Sequence, residues 1–147
     1  MTASIREQIA TDIVETLESA VDPVAIKLVS RNPINSADIS IEQYPCIFVR
    51  TSSEDRDDAS SSSSTRHGVV DFEIIGLIRT NANSNIDTDR NALIQTIEDK
   101  LEADRQRNSL ALNSTITNVV TDEGDQHPIG RVTINYRVQY KYTRGTT

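Results

Sequence analysis

The apolar positions are most regular near the end of the chain. From Arg131 to Tyr142, the residues Val132, Ile134, Tyr136, Val138, Tyr140 and Tyr142 alternate with polar or charged ones. That period of two predicts a strand with one buried and one wet face. A second strand pattern runs from His67 to Arg79: Val70, Phe72, Ile74 and Ile78 share one face, while Asp71 and Glu73 begin the other. Ile75 and Leu77 then turn that other face apolar, so cover is expected on both sides over the middle of the sheet, helices on one and a further helix or subunit on the other. Between the two patterns the period changes. Leu93, Ile94, Ile97 and Leu101 fall within about 100° of one another at helical spacing, predicting an amphipathic helix from Asp89 to Asp104. Asp87 or Thr88 is its expected N-cap, and Arg105 and Arg107 lie near its negative end.

The rest of the chain is weaker but readable. Ile5, Ile9, Ile13, Leu17 and Val21 predict a first helix over Ala3 to Ala20, capped by Ser4 or Thr2 and ended by Asp22-Pro23. Strands follow at Val24 to Val29 and Pro45 to Arg50, separated by the turn-forming run Arg31 to Asp38. A final pair, Ser114 to Asp122 and Gly130 to Tyr142, is joined by Glu123 to Pro128. The expected class is α+β: a mostly antiparallel sheet of about five strands with two main helices, in the order α-β-β-β-α-β-β. Between strands two and three, the polar segment Thr51 to Thr65 holds Glu54, Asp55, Arg56, Asp57 and Asp58 and then the serines Ser60 to Ser64. It predicts a mobile polar loop over residues 52–66, either a solvated hairpin tip or a segment that orders against a neighbour.

Composition narrows the function. A length of 147 residues with 36% hydrophobic content suits a single domain with one core. The net charge of −7 and the pI of about 4.8 oppose a nucleic-acid grip, which needs clustered Lys and Arg. No run reaches the ~18–20 apolar residues needed to span a bilayer, and the opening Met-Thr-Ala-Ser-Ile-Arg-Glu lacks a secretory layout, so assembly in the cytoplasm without a membrane partner is expected. Cys46, the one cysteine, sits in an apolar run and reads as a buried, inert thiol.

Candidate chemistry is sparse. Asn81, Asn83, Asn85, Asp87 and Asp89 place oxygen ligands at alternate positions, but a calcium loop needs glycine and glutamate where Ile86 and Ala92 stand. Asp71 and Glu73 on one strand could hold magnesium in a small metal-dependent nuclease, yet no lysine follows them to help activate water. His67 and His127 lack a zinc-ligand pattern, and no phosphate loop, nucleophile elbow or CxxC is present. The expectation is no catalytic residue, metal or cofactor.

The chain resembles the tail-terminator, or tail-completion, proteins of long-tailed bacteriophages. The likeness rests on the helix built around Ile-Arg-Glu-Gln-Ile, the proline-led strand Tyr44 to Arg50, and the strand Gly68 to Arg79 after a polar loop. The helix Leu93 to Leu101 and the closing alternating strands complete it. It covers nearly the whole chain as a pattern of elements rather than as a diagnostic motif. It implies a structural virion subunit forming a ring, usually of six, that caps the head-proximal end of a tail tube and joins it to the head connector. Implied partners are further copies of itself, the tail-tube protein, a sheath protein where one exists, and the connector or stopper; DNA passes through without specific binding. Candidate contact residues are Glu54, Asp55, Arg56, Asp57, Asp58, Arg66, Arg131, Arg137 and Lys141, with Arg79 bridging to acidic neighbours. Another neck or head–tail joining protein fits the same pattern, and the nuclease using Asp71 and Glu73 is the alternative of a different class.

Overall fold

The computed structural model describes residues 3–32, 38–58, 65–80, 85–122 and 128–143. The elements follow the order α1 (Ile5–Glu18), β1 (Leu28–Ser30), β2 (Cys46–Asp58), β3 (Thr65–Arg79), α2 (Ile86–Glu102), β4 (Asn113–Thr121) and β5 (Ile129–Thr143), with a short 3-10 turn at Ile41–Gln43. The five strands form one sheet in the order β1-β2-β3-β5-β4. β1 runs parallel to β2 and every other pairing is antiparallel, so the α+β class and the element order read from the sequence hold.

Both helices pack on one face of this sheet. Ile9, Ile13 and Leu17 of α1 and Leu93, Ile97 and Leu101 of α2 are fully buried against Ile47, Val49, Val70, Phe72, Ile74 and the apolar face of β5. The β5 alternation is realised in full, with Val132 through Tyr142 turned into that core. On the opposite face a smaller cluster of Cys46, Phe48 and Leu77 lies under Ile39 and Tyr44. Cover on the second side therefore comes from the segment before β2 and reaches one end of the sheet. Among the described residues, no α-helix lies on that face.

Several boundaries differ from expectation. The first helix ends at Glu18, so Val21 leaves the stripe and is 70% exposed, while Ser4 caps the start by accepting a hydrogen bond from the Glu7 amide at 3.1 Å. β1 contributes only Leu28–Ser30 instead of the stretch from Val24 to Val29, because its one partner is the first turn of β2. The second helix starts earlier, at Ile86. Its cap is Asn85 rather than Asp87 or Thr88, the Asn85 side chain accepting from the Asp87 and Thr88 amides at 2.9 and 3.3 Å.

The largest correction concerns the polar loop expected over 52–66. β2 continues to Asp58 and β3 begins at Thr65, so both ends of that segment are strand; residues 59–64, with Ser60 to Ser64, lie outside the described residues. A Ser-Glu-Asp run has poor strand propensity, but β3 pairs along its inner edge as far as Asp58, and this tertiary term wins. The ladder runs from Cys46 opposite Leu77 to Asp58 opposite Arg66, with one irregularity between Thr51 and Ser53.

Candidate assembly surface

β4 pairs with β5 only as far as Asn113 opposite Gln139. Beyond that point β2, β3 and β5 continue as a three-stranded ribbon. Its helix side is held by a compact cluster. The Tyr140 ring lies flat over Gly68, where an added Cβ would stand 2.7 Å from a ring carbon. The Tyr140 hydroxyl donates to Glu54 Oε1 at 2.6 Å, and Glu54 also pairs with Arg6 at 3.5 Å and closely with Arg56. Arg56 in turn sits over the Tyr142 ring, 4.9 Å from its centroid. Burial, followed by the bond to Glu54, raises the Tyr140 phenol above its ordinary pKa, and the hydrogen bond to Glu54 raises that of Arg56.

The expected contact residues therefore divide into groups. Glu54, with a side chain only 7% exposed, and Arg56 serve the ribbon's own packing and are not a free surface, which corrects their assignment to a loop. Arg66 stands opposite Asp58 and Tyr142 on the same ribbon. Asp55, Asp57, Arg137 and Lys141 come together on the open face, where Asp57 and Lys141 flank His67 in the ladder and Asp55 sits opposite Val69. Arg137 Nε donates to Asp71 Oδ1 at 3.0 Å, and this bond raises the Arg137 pKa. Arg79 and Arg131 lie at the far end of the sheet, both exposed, opposite Ile129 and Leu77.

The two carboxylates of the nuclease alternative are already paired: Asp71 with Arg137, and Glu73 with Arg50 at 3.3 Å. Among the described residues, no group of three or more His, Cys, Asp or Glu side chains could hold a metal ion. His127 and the Asn81–Ser84 part of the oxygen-ligand run lie outside the described residues.

The sequence suggests that a small open sheet leaves exposed edges, but not which strands form them. β1 covers β2 only at Cys46, Ile47 and Phe48, and β4 is the last strand on the other side. Among the described residues, no strand pairs with β2 beyond Phe48 on its outer edge or with the outer edge of β4. A hollow of about 280 Å³, lined by Arg31, Phe48, Val49, Arg50, Thr51 and Ile75, opens where β1 ends. The signal for β4 was available: Asn113–Thr121 contains no charge and no proline and is rich in β-branched residues.

These features define an α+β fold with one helix-covered face, one largely bare face and, among the described residues, two stretches of sheet edge without a strand partner. No protein-family model matches the chain, and no curated protein matches it. Among solved structures, a chain from the virion of a native gene transfer agent particle is similar at 12% identity and a TM-score of 0.43, over 95% of this chain and 92% of that one. No helix of the described residues is long and apolar enough to cross a membrane.

Proposed function

We propose that this chain is a structural virion subunit that forms a ring with its own copies, caps the head-proximal end of a phage-like tail tube and presents the surface that joins the head connector. The observation that carries the reading is the pair of edge stretches that, among the described residues, have no strand partner on opposite sides of one open-faced sheet, since unpaired edges invite strands from other chains. The element order supports it, being the pattern the sequence shares with tail-terminator proteins.

Function is then binding without bond-making. One side of the ring matches the last ring of the tube, the other no longer offers a copy of that surface, and polymerisation has no next site. Six copies at −7 each would carry −42, and carboxylates facing a central hole would repel passing phosphates, letting DNA slide. A basic, DNA-gripping lumen would contradict this.

Two measurements test the reading. The mass of the purified protein reports self-assembly, and imaging tails assembled without it separates the neck roles: overlong tubes mark a terminator, whereas tails of normal length that fail to join heads mark a connector-joining protein. For the nuclease alternative, magnesium-dependent cleavage lost in Asp71→Ala or Glu73→Ala would displace the structural reading.

A further inference from the structure

The strand register places the two free edges at the same height on the sheet. Across the four paired strands, Asn113 lines up with Gln139, Val69 and Asp55; Thr115 with Arg137, Asp71 and Ser53; and Val119 with Ile134, Ile74 and Val49. Thus β4 from Asn113 to Val119 is level with β2 from Asp55 back to Val49, which is where β1 no longer covers β2. The irregularities in the two strands, between Ile116 and Asn118 and between Thr51 and Ser53, are also level to within a rung. β2 and β4 run in opposite directions, because each step from β2 through β3 and β5 to β4 is antiparallel.

We infer that subunits join edge to edge, β4 of one copy pairing antiparallel with the free stretch of β2 on the next, so that one continuous sheet passes from subunit to subunit. This inference rests on the ring reading and names its interface. A copy moved sideways across the strands, without sliding along them, brings the two stretches together, and such a head-to-tail contact can close into a ring instead of climbing into a filament. Each edge meets what it lacks.

Charge separates this pairing from its rivals. With Glu54 turned inward and paired with Arg6 and Arg56, the open face of β2 near its edge still presents Asp55 and Asp57, so two β2 edges would set carboxylates against carboxylates. β4 is uncharged and accepts that edge without repulsion. Val120, 50% exposed on the bare face, is level with Phe48 and Ile75, which line the hollow at the end of β1. In the joined pair β4 therefore runs beside β2 only from Asn113 to Val119, since Ser30 of β1 already occupies the place beside Phe48.

Thiol crosslinking tests the pairing. Ser53 and Thr115 are exposed and share one rung, whereas the native Cys46 is buried and stays silent. Chains carrying Ser53→Cys, mixed with chains carrying Thr115→Cys and treated with a short bifunctional thiol reagent, are expected to link one to the other, both in solution and on tail tubes. Thr115→Glu, a change at an exposed position that sets a carboxylate against the acidic β2 edge and keeps the monomer's circular dichroism, is expected to shift the measured mass to monomer. Linking of Thr115→Cys chains to each other would overturn the inference in favour of a two-fold pair. A ring of full mass that yields no Ser53–Thr115 link would overturn the edge pairing while leaving the ring. A protein that is monomeric both alone and on tubes would overturn the ring reading itself.

Discussion

At the scale of single residues, Arg107 holds the two helices together. It is fully buried, yet each side of its guanidinium has an acceptor: the Leu101 carbonyl at 2.9 Å and the Asp104 carbonyl at the end of α2, and Asp12 and Thr16 of α1 at 3.2 and 3.3 Å. The sequence placed Arg107 correctly beside the negative end of that helix. Its burial was illegible because the partner, Asp12, lies 95 positions away and the turn depends on positive φ at Arg107, Asn108 and Ser109. Arg107→Met is expected to cost about 3 kcal/mol in chemical denaturation, since it strands Asp12 and leaves helix-end carbonyls unsatisfied. Desolvation is the largest influence on Asp12 and raises its pKa above the usual 3.8, outweighing the opposing pull of Arg107. The folded protein therefore binds this proton more tightly than the unfolded chain. The stability it contributes is full below pH 3.8 and declines as pH climbs through the raised value, so Asp12→Asn should flatten that portion of a pH–stability curve. Burial likewise pushes the Cys46 thiol up to about 11, and a thiol-reactive dye at pH 8 should label the protein only after denaturation.

At the scale of elements, the outer ribbon shows what pattern reading can and cannot deliver. The period of two in β5 identified its buried face residue by residue, and the helical stripes identified the faces of α1 and α2. The extension of β2 was hidden, because Thr51–Asp58 has the composition of a loop and becomes strand only through pairing with β3. Gly68 was visible in the sequence only as a residue at the start of a strand. Its function is to let the Tyr140 ring lie against the backbone, so that the Tyr140 hydroxyl reaches Glu54. Gly68→Ala should therefore destabilise the protein by about 1–3 kcal/mol, since the new methyl collides with a fully buried ring whose hydroxyl is tied to Glu54. Tyr140→Phe should cost about 1–2 kcal/mol by leaving Glu54 short of a donor. Thermal melts of both variants, with hydrogen exchange of 54–58 and 65–69, would show whether the loss is confined to the ribbon.

At the scale of the molecule, acidic residues crowd the helices while the open face of the sheet mixes both signs, with Asp71 paired to Arg137 and Glu73 to Arg50. The outer surfaces of the helices carry Glu7, Glu15, Glu18, Asp87, Asp99 and Glu102, while β5 carries Arg131, Arg137 and Lys141 on the bare face and no acidic residue. Every copy carries the same −7, so on the ring reading added salt should screen repulsion and strengthen association between copies, a point that mass measurements across an ionic-strength series would check. The candidate surface was legible in the sequence as a set of charged positions, but not as a place: Glu54 turned inward, Arg79 and Arg131 fell at the far end, and the edges emerged only from strand order. The bare β4 edge has one more consequence, for the cell that makes the protein. A strand without gatekeeping lysine or proline is sticky toward any extended chain, so surplus copies waiting for a dock are the ones at risk of clumping. Supply matched to the number of docking sites would keep such orphans scarce.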